Sequence, residues 1–119
     1  MWYYPGDVLA VRVHGVISHE GIVTETGRVI SNSRRRGGVF EESVRDFSNG
    51  GKLVNKGGLS NLSRESVLAR ARSQIGRRYH ALDYNCEHFV RDCYGLRPHS
   101  PQKKLAIGAA LVAALAVII

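Results

Sequence analysis

Asn85-Cys86-Glu87-His88-Phe89-Val90 reads as the opening of a helix with a cysteine in its first turn. Asn85 is a good N-cap, because its side-chain oxygen can accept from the unpaired N–H groups of that turn. Cys86 would lie where those groups and the positive end of the helix dipole favour a thiolate. Cys86, Phe89, Val90 and Cys93 share one face of this helix, while His88, Arg91 and Asp92 point elsewhere. A small buried hydrophobe is the ordinary role of such a cysteine. Chemistry requires a base brought to it from elsewhere in the chain.

Upstream, the loop from Arg77 to Tyr84 leads back to a second helix. Ser63 is its expected N-cap, Val67, Leu68, Ala71 and Ile75 form its apolar stripe, and Gly76 stops it. Arg64, Arg70 and Arg72 read as its solvated face. Before it, Asp7–His14, His19–Thr24 and Arg28–Ser33 have the β-branched, apolar character of strands. The second and third are joined around Gly27 as a hairpin. Val39-Phe40 and Lys52-Leu53-Val54 are further short strands, and Ser43–Asn49 reads as a helical turn. Strands first and helices afterwards predict an α+β domain in which a small antiparallel sheet packs against helices.

The chain has 119 residues, enough for one domain with a real core. Seventeen basic against ten acidic residues give a net charge of +7, which favours anionic partners such as membrane headgroups. Nucleic acid is not expected as a partner, since no helix carries a continuous basic face and no aromatic stacking platform is apparent. Arg34-Arg35-Arg36 reads as a solvated loop, with contact to lipid phosphates as the alternative. Cys86 and Cys93 on one regular helix would lie about 10 Å apart, too far for a disulfide. Unbridged thiols fit a reducing, cytoplasmic compartment. No secretory signal is read at the N-terminus. A zinc site from Cys86, His88 and Cys93 is not expected, because His88 faces away, and no cofactor is implied.

Residues 105–119 are all Ala, Val, Leu, Ile or Gly, preceded by Lys103-Lys104. As a helix they would span roughly 22 Å, short of the ~30 Å hydrocarbon core. A buried helix should keep one polar face and this one has none. The division expected is therefore 1–98 as the folded domain, 99–104 as a basic linker, and 105–119 as a membrane-associated hydrophobic tail.

Five histidines compete for the base: His14, His19, His80, His88 and His99. His88 follows Cys86 by two positions, so on a helix their side chains diverge. His99 lies in the linker, His80 in a loop, and His14 at a strand end. His19 opens a hairpin strand, the rigid support that a site needs.

NCEHFV followed by a basic, glycine-containing turn resembles the signature of the lecithin retinol acyltransferase-like family. Pro5-Gly6-Asp7, His19-Glu20-Gly21-Ile22-Val23 and Gly27-Arg28-Val29-Ile30 are similar to its PGD start and histidine-bearing hairpin. The resemblance runs from about Pro5 to about Gly95. It implies a circularly permuted papain-like fold related to NlpC-type enzymes, with Cys86 as nucleophile and His19 as base. It also implies acyl transfer or hydrolysis on lipid esters, of the phospholipase or acyltransferase kind.

Family members commonly carry a second histidine twelve residues after the first; counting without gaps reaches Ser31, followed by Asn32. Asn32 is the expected orienter of the imidazole, through a one-residue shift of the hairpin, with Ser31 as the alternative. An oxyanion hole would draw on the Cys86 backbone N–H. Tyr84, just before the motif, is expected to cover the core. Two other readings stay open: an NlpC-type peptidase or amidase, and a membrane-associated binding module with little catalysis.

Overall fold

Positive backbone φ angles at His14 (52°) and Gly15 (78°) turn the first strand tightly back on itself, the geometry that suits the right-handed twist of paired strands. The computed structural model describes residues 2–97. The strands are β1 (Val8–Val13), β2 (Val16–Val23), β3 (Val29–Ser33), β4 (Gly38–Glu42) and β5 (Lys52–Gly57). The helices are α1 (Val44–Ser48), α2 (Arg64–Ser73) and α3 (Cys86–Cys93). The strands form one antiparallel sheet in the order β4-β3-β2-β1-β5, so the domain is α+β. The sequence-expected tail and linker, 99–119, lie outside the described residues.

Alternation along the strands gives the sheet two faces. Val8, Ile22, Ile30 and Val39 pack beneath α2 and α3, against Val67, Ala71, Phe89, Val90 and Cys93. Leu9, Val11, Val23 and Val29 pack on the other face against Phe47 of α1. The same alternation puts Glu20 and Asn32 on the side of α3, and His19 and Ser31 on the side of Phe47.

The PGD start has a mechanical role. The Asp7 carboxylate accepts from the Tyr4 N–H (2.8 Å), Asn55 Nδ2 (3.0 Å) and Arg64 Nη1 (2.7 Å), tying the N-terminus to β5 and α2. Gly6 has φ +85°, and a Cβ there would meet Arg64 Cδ at 2.7 Å. The Tyr94 hydroxyl donates to the Gly6 carbonyl.

One irregularity positions the site. The β2–β3 ladder pairs only Ile22 with Ile30 and Val23 with Val29. Beyond it β2 stays with β1 and β3 with β4, down to Val13↔Val16 and Ser33↔Gly38. The sheet therefore parts between Glu20 and Asn32, and the start of α3 docks there. Asn32 Nδ2 donates to the carbonyls of Tyr84 (2.8 Å) and Asn85 (3.3 Å).

Two expectations about helix faces change. Ile75 lies past the end of α2 and is 47 % exposed, so the stripe ends at Ala71. His88 is buried, because it completes the cap of α3: its Nδ1 accepts from the Asn85 N–H at 3.1 Å while Asn85 Oδ1 accepts from the Glu87 and His88 N–H groups. That is a reciprocal capping box, and it makes His88 structural.

Candidate active site

Cys86 occupies the first position of α3 and is 2 % exposed. Its sulfur meets the backbone N–H of Glu20, the residue after His19, so the thiol lies in the parting between β2 and β3. Burial pushes the thiol up to about 12. The Glu20 N–H draws it down, while the carboxylates of Glu20 and Glu87 add to the rise. The expectation that the helix start would favour thiolate is thus reversed. Loss of hydration outweighs the backbone N–H groups of Glu20 and Glu87 that favour the charged sulfur. Cys93 is also buried, in the core under α2, and is likewise pushed up to about 12 by burial. Neither cysteine forms a disulfide.

His19 lies on β2 at the edge of the parting. Its Nε2 and Ser31 Oγ are hydrogen-bonded at 3.1 Å, and its ring lies 4.8 Å from that of Phe47. Burial, then the positive charge of Arg35, lowers its pKa to about 4, so the imidazole is neutral at pH 7. It opens on a pocket of about 210 Å³ lined also by Val11, Val13, Phe47, Arg34 and Arg35.

The partner of His19 is Ser31, not Asn32. A strand has period two, so adjacent residues face opposite sides, and the one-residue shift needed to turn Asn32 toward the imidazole does not occur. Asn32 instead clamps β3 to the backbone just before Cys86. Tyr84 is a core residue as expected, with Arg77 stacked 3.6 Å from its ring centroid. His14 and His80 are exposed, and His99 lies outside the described residues.

Two neighbours escaped the sequence reading. Glu20 is buried beside the thiol and paired with Lys56 Nζ at 2.5 Å. Tyr79 is close enough to Cys86, Arg34 and Glu87 for their charges to act on its phenol, whose pKa burial raises first. Nothing local marks either residue. The one available signal was that Glu20 immediately follows His19.

Substitutions at Ser31 test this pairing. Ser31→Ala should slow turnover by about tenfold, the worth of one neutral hydrogen bond. Ser31→Asp should raise the imidazole pKa, since a carboxylate favours the charged ring. A base works deprotonated, so activity in the natural chain should climb as pH rises through about 4 and in Ser31→Asp at higher pH. An identical acid limb in both kcat/KM profiles would refute the contact. Stability follows the same sign. The folded imidazole binds its proton near pH 4 and the unfolded one at 6.5. Its contribution is therefore complete above 6.5 and fades as pH falls through the folded value.

The family model described as lecithin retinol acyltransferase matches residues 3–97, which include the PGD start, His19, Ser31 and all of α3. No curated protein matches the chain significantly.

Proposed function

We propose, since the chain belongs to the lecithin retinol acyltransferase family, that it transfers or hydrolyses the acyl group of a lipid ester through a thioester on Cys86. Family membership points to acyltransferase- or hydrolase-type chemistry; the residues and steps here are our reading. With Nε2–H donating to Ser31 Oγ, the lone pair of His19 is left on Nδ1 to take the thiol proton. Sulfur attacks the ester carbonyl as that proton leaves, and the negative charge passes to the carbonyl oxygen. Our candidate to stabilise it is the backbone N–H of Cys86, since those of Glu87 and His88 donate to Asn85 Oδ1. Collapse breaks the ester C–O bond, and the imidazolium returns its proton to the departing alkoxide. Water or a second alcohol or amine then attacks the thioester, losing its proton to His19 and restoring the thiol.

The observation that carries this reading is the placement of Cys86 and His19 around the parting of β2 and β3, with the imidazole neutral and hydrogen-bonded on one nitrogen. A nucleophilic cysteine at a helix start beside a histidine on a sheet is the arrangement of a permuted papain-like enzyme, and we read the fold so. Because thiol and imidazole both rest neutral, proton transfer accompanies attack instead of preceding it. Incubating the intact chain with an activated lipid ester should add the mass of one acyl group. No added mass would overturn the reading.

A second reading, a binding module with little catalysis, is favoured by the same buried thiol at about 12 and by a hydroxyl as the partner of His19, where the family resemblance implies a histidine. Measurable turnover of the acyl-enzyme decides between the two.

The partner we propose is a membrane lipid, with residues 105–119 as the attachment of a cytoplasmic enzyme. No helix among the described residues is long and apolar enough to cross a membrane. Deleting 105–119 should leave a cooperatively melting domain that no longer sediments with anionic liposomes, whereas the full chain does. Loss of the melting transition would make the tail a core element instead.

A further inference from the structure

Glu20 and Lys56 form a buried ion pair that the acyl-transfer steps do not use. Glu20 stands opposite Ala10 on β1, and Ala10 stands opposite Val54 on β5. Lys56 lies where the register of β1 against β5 shifts. Leu9 pairs with Asn55 and Val8 with Gly57, so Lys56 is the extra residue of a bulge, a device that re-aims a side chain. Lys56 Nζ reaches across β1 to Glu20 Oε1 at 2.5 Å. Ala10, fully buried between them, is small enough to let the two side chains meet.

Such a pair is a poor way to hold a sheet together. Burying two charges costs hydration, and apolar residues of similar volume stabilise as well or better. What sets this pair apart is its place. Glu20 gives its backbone N–H to the Cys86 sulfur and sets its carboxylate charge against the same atom. The side chain of Glu20 is 5 % exposed, so water screens that charge little. The other titratable groups around the sulfur are Glu87 and His88 of α3, Tyr79 of the preceding loop, and His19 on the opposite face of β2.

We propose that Glu20 and Lys56 are positioning residues for the nucleophile, a charge pair that sets how readily Cys86 gives up its proton. The carboxylate opposes a negative sulfur, and the ammonium bonded to it offsets part of that opposition. Loss of either charge alone should therefore move the thiol in opposite directions, and loss of both should nearly cancel. The proposal rests on the acyl-transfer reading for the use made of the thiol, but the charge effect does not need catalysis.

The test is alkylation of the full, folded chain by iodoacetamide at one mildly alkaline pH, read separately at Cys86 and Cys93 by mass spectrometry. The thiolate is the form that reacts, so at fixed pH the rate follows the thiolate fraction. Glu20→Gln keeps an acceptor for Lys56 and should raise the Cys86 rate about tenfold. Lys56→Gln should lower it by a similar factor. The paired variant, Glu20→Gln with Lys56→Gln, should return to within about threefold of the natural chain. Lys56→Arg keeps the charge and should match the natural rate. Cys93, in the core under α2, should react at one rate throughout and so reports any opening of the fold.

Single variants that shift the Cys86 rate in the same direction overturn the proposal. So does a paired variant no closer to the natural rate than Glu20→Gln. A Cys93 rate that rises together with that of Cys86 makes the pair a structural tie and overturns it as well. Lys56→Gln strands a buried carboxylate; if it does not fold, Glu20→Gln against the paired variant still reads the lysine charge, because the rise must vanish. If the opposed shifts appear while the natural chain forms no acyl-enzyme with an activated lipid ester, the acyl-transfer reading fails and the charge pair stands.

Discussion

Cys86→Ser is expected to abolish acyl-enzyme formation and lower turnover by about 10⁴ or more, as loss of a nucleophile does elsewhere. A serine hydroxyl is far less acidic than a thiol, and the neutral imidazole of His19, with a pKa of about 4, is too weak a base to compensate. Cys93→Ser should leave acylation intact. Cys93 is buried in the core between α2 and the sheet, seven positions from the parting where Cys86 meets Glu20. Its cost should appear as reduced stability, since a hydroxyl replaces a buried sulfur. Intact-protein mass spectrometry after exposure to an activated ester separates these outcomes. An adduct that survives Cys86→Ser, or one shared equally between the cysteines, would defeat the assignment.

His19→Ala should reduce turnover by about 10² to 10⁴, the usual contribution of a positioned proton-transfer group. The loss should fall on kcat more than on KM, because the imidazole acts on the thiol proton as sulfur attacks. The Ser31 hydroxyl and the Phe47 ring would both lose their contact, so circular dichroism must show that the variant is folded. His88→Ala should do the reverse. It removes the acceptor for the Asn85 N–H and loosens the cap of α3, costing about 1 kcal/mol of stability with a smaller effect on chemistry. A folded but inactive His88→Ala beside an active His19→Ala would exchange the two roles.

The parts of this protein legible in its sequence are those written in short-range chemistry. Asn85 and Ser63 cap α3 and α2 because their side chains reach backbone N–H groups two or three residues away. The β-branched runs before Gly27 and after it become β2 and β3, and Ser43–Asn49 becomes a capped helical turn. Cys86 at a helix start and His19 on a strand follow from the same local rules. What the tertiary structure alone decided depends on contacts between distant segments. Ser31 and Asn32 are equally plausible partners in one dimension; only the register of β3 against β4 and β2 assigns opposite faces to them. The thiol looked activated in its own helix, yet packing against Glu20, sixty-six positions earlier in the chain, removes its water and reverses the shift. Hydration is lost only when remote surfaces close over a group, so no window of neighbouring residues contains that information.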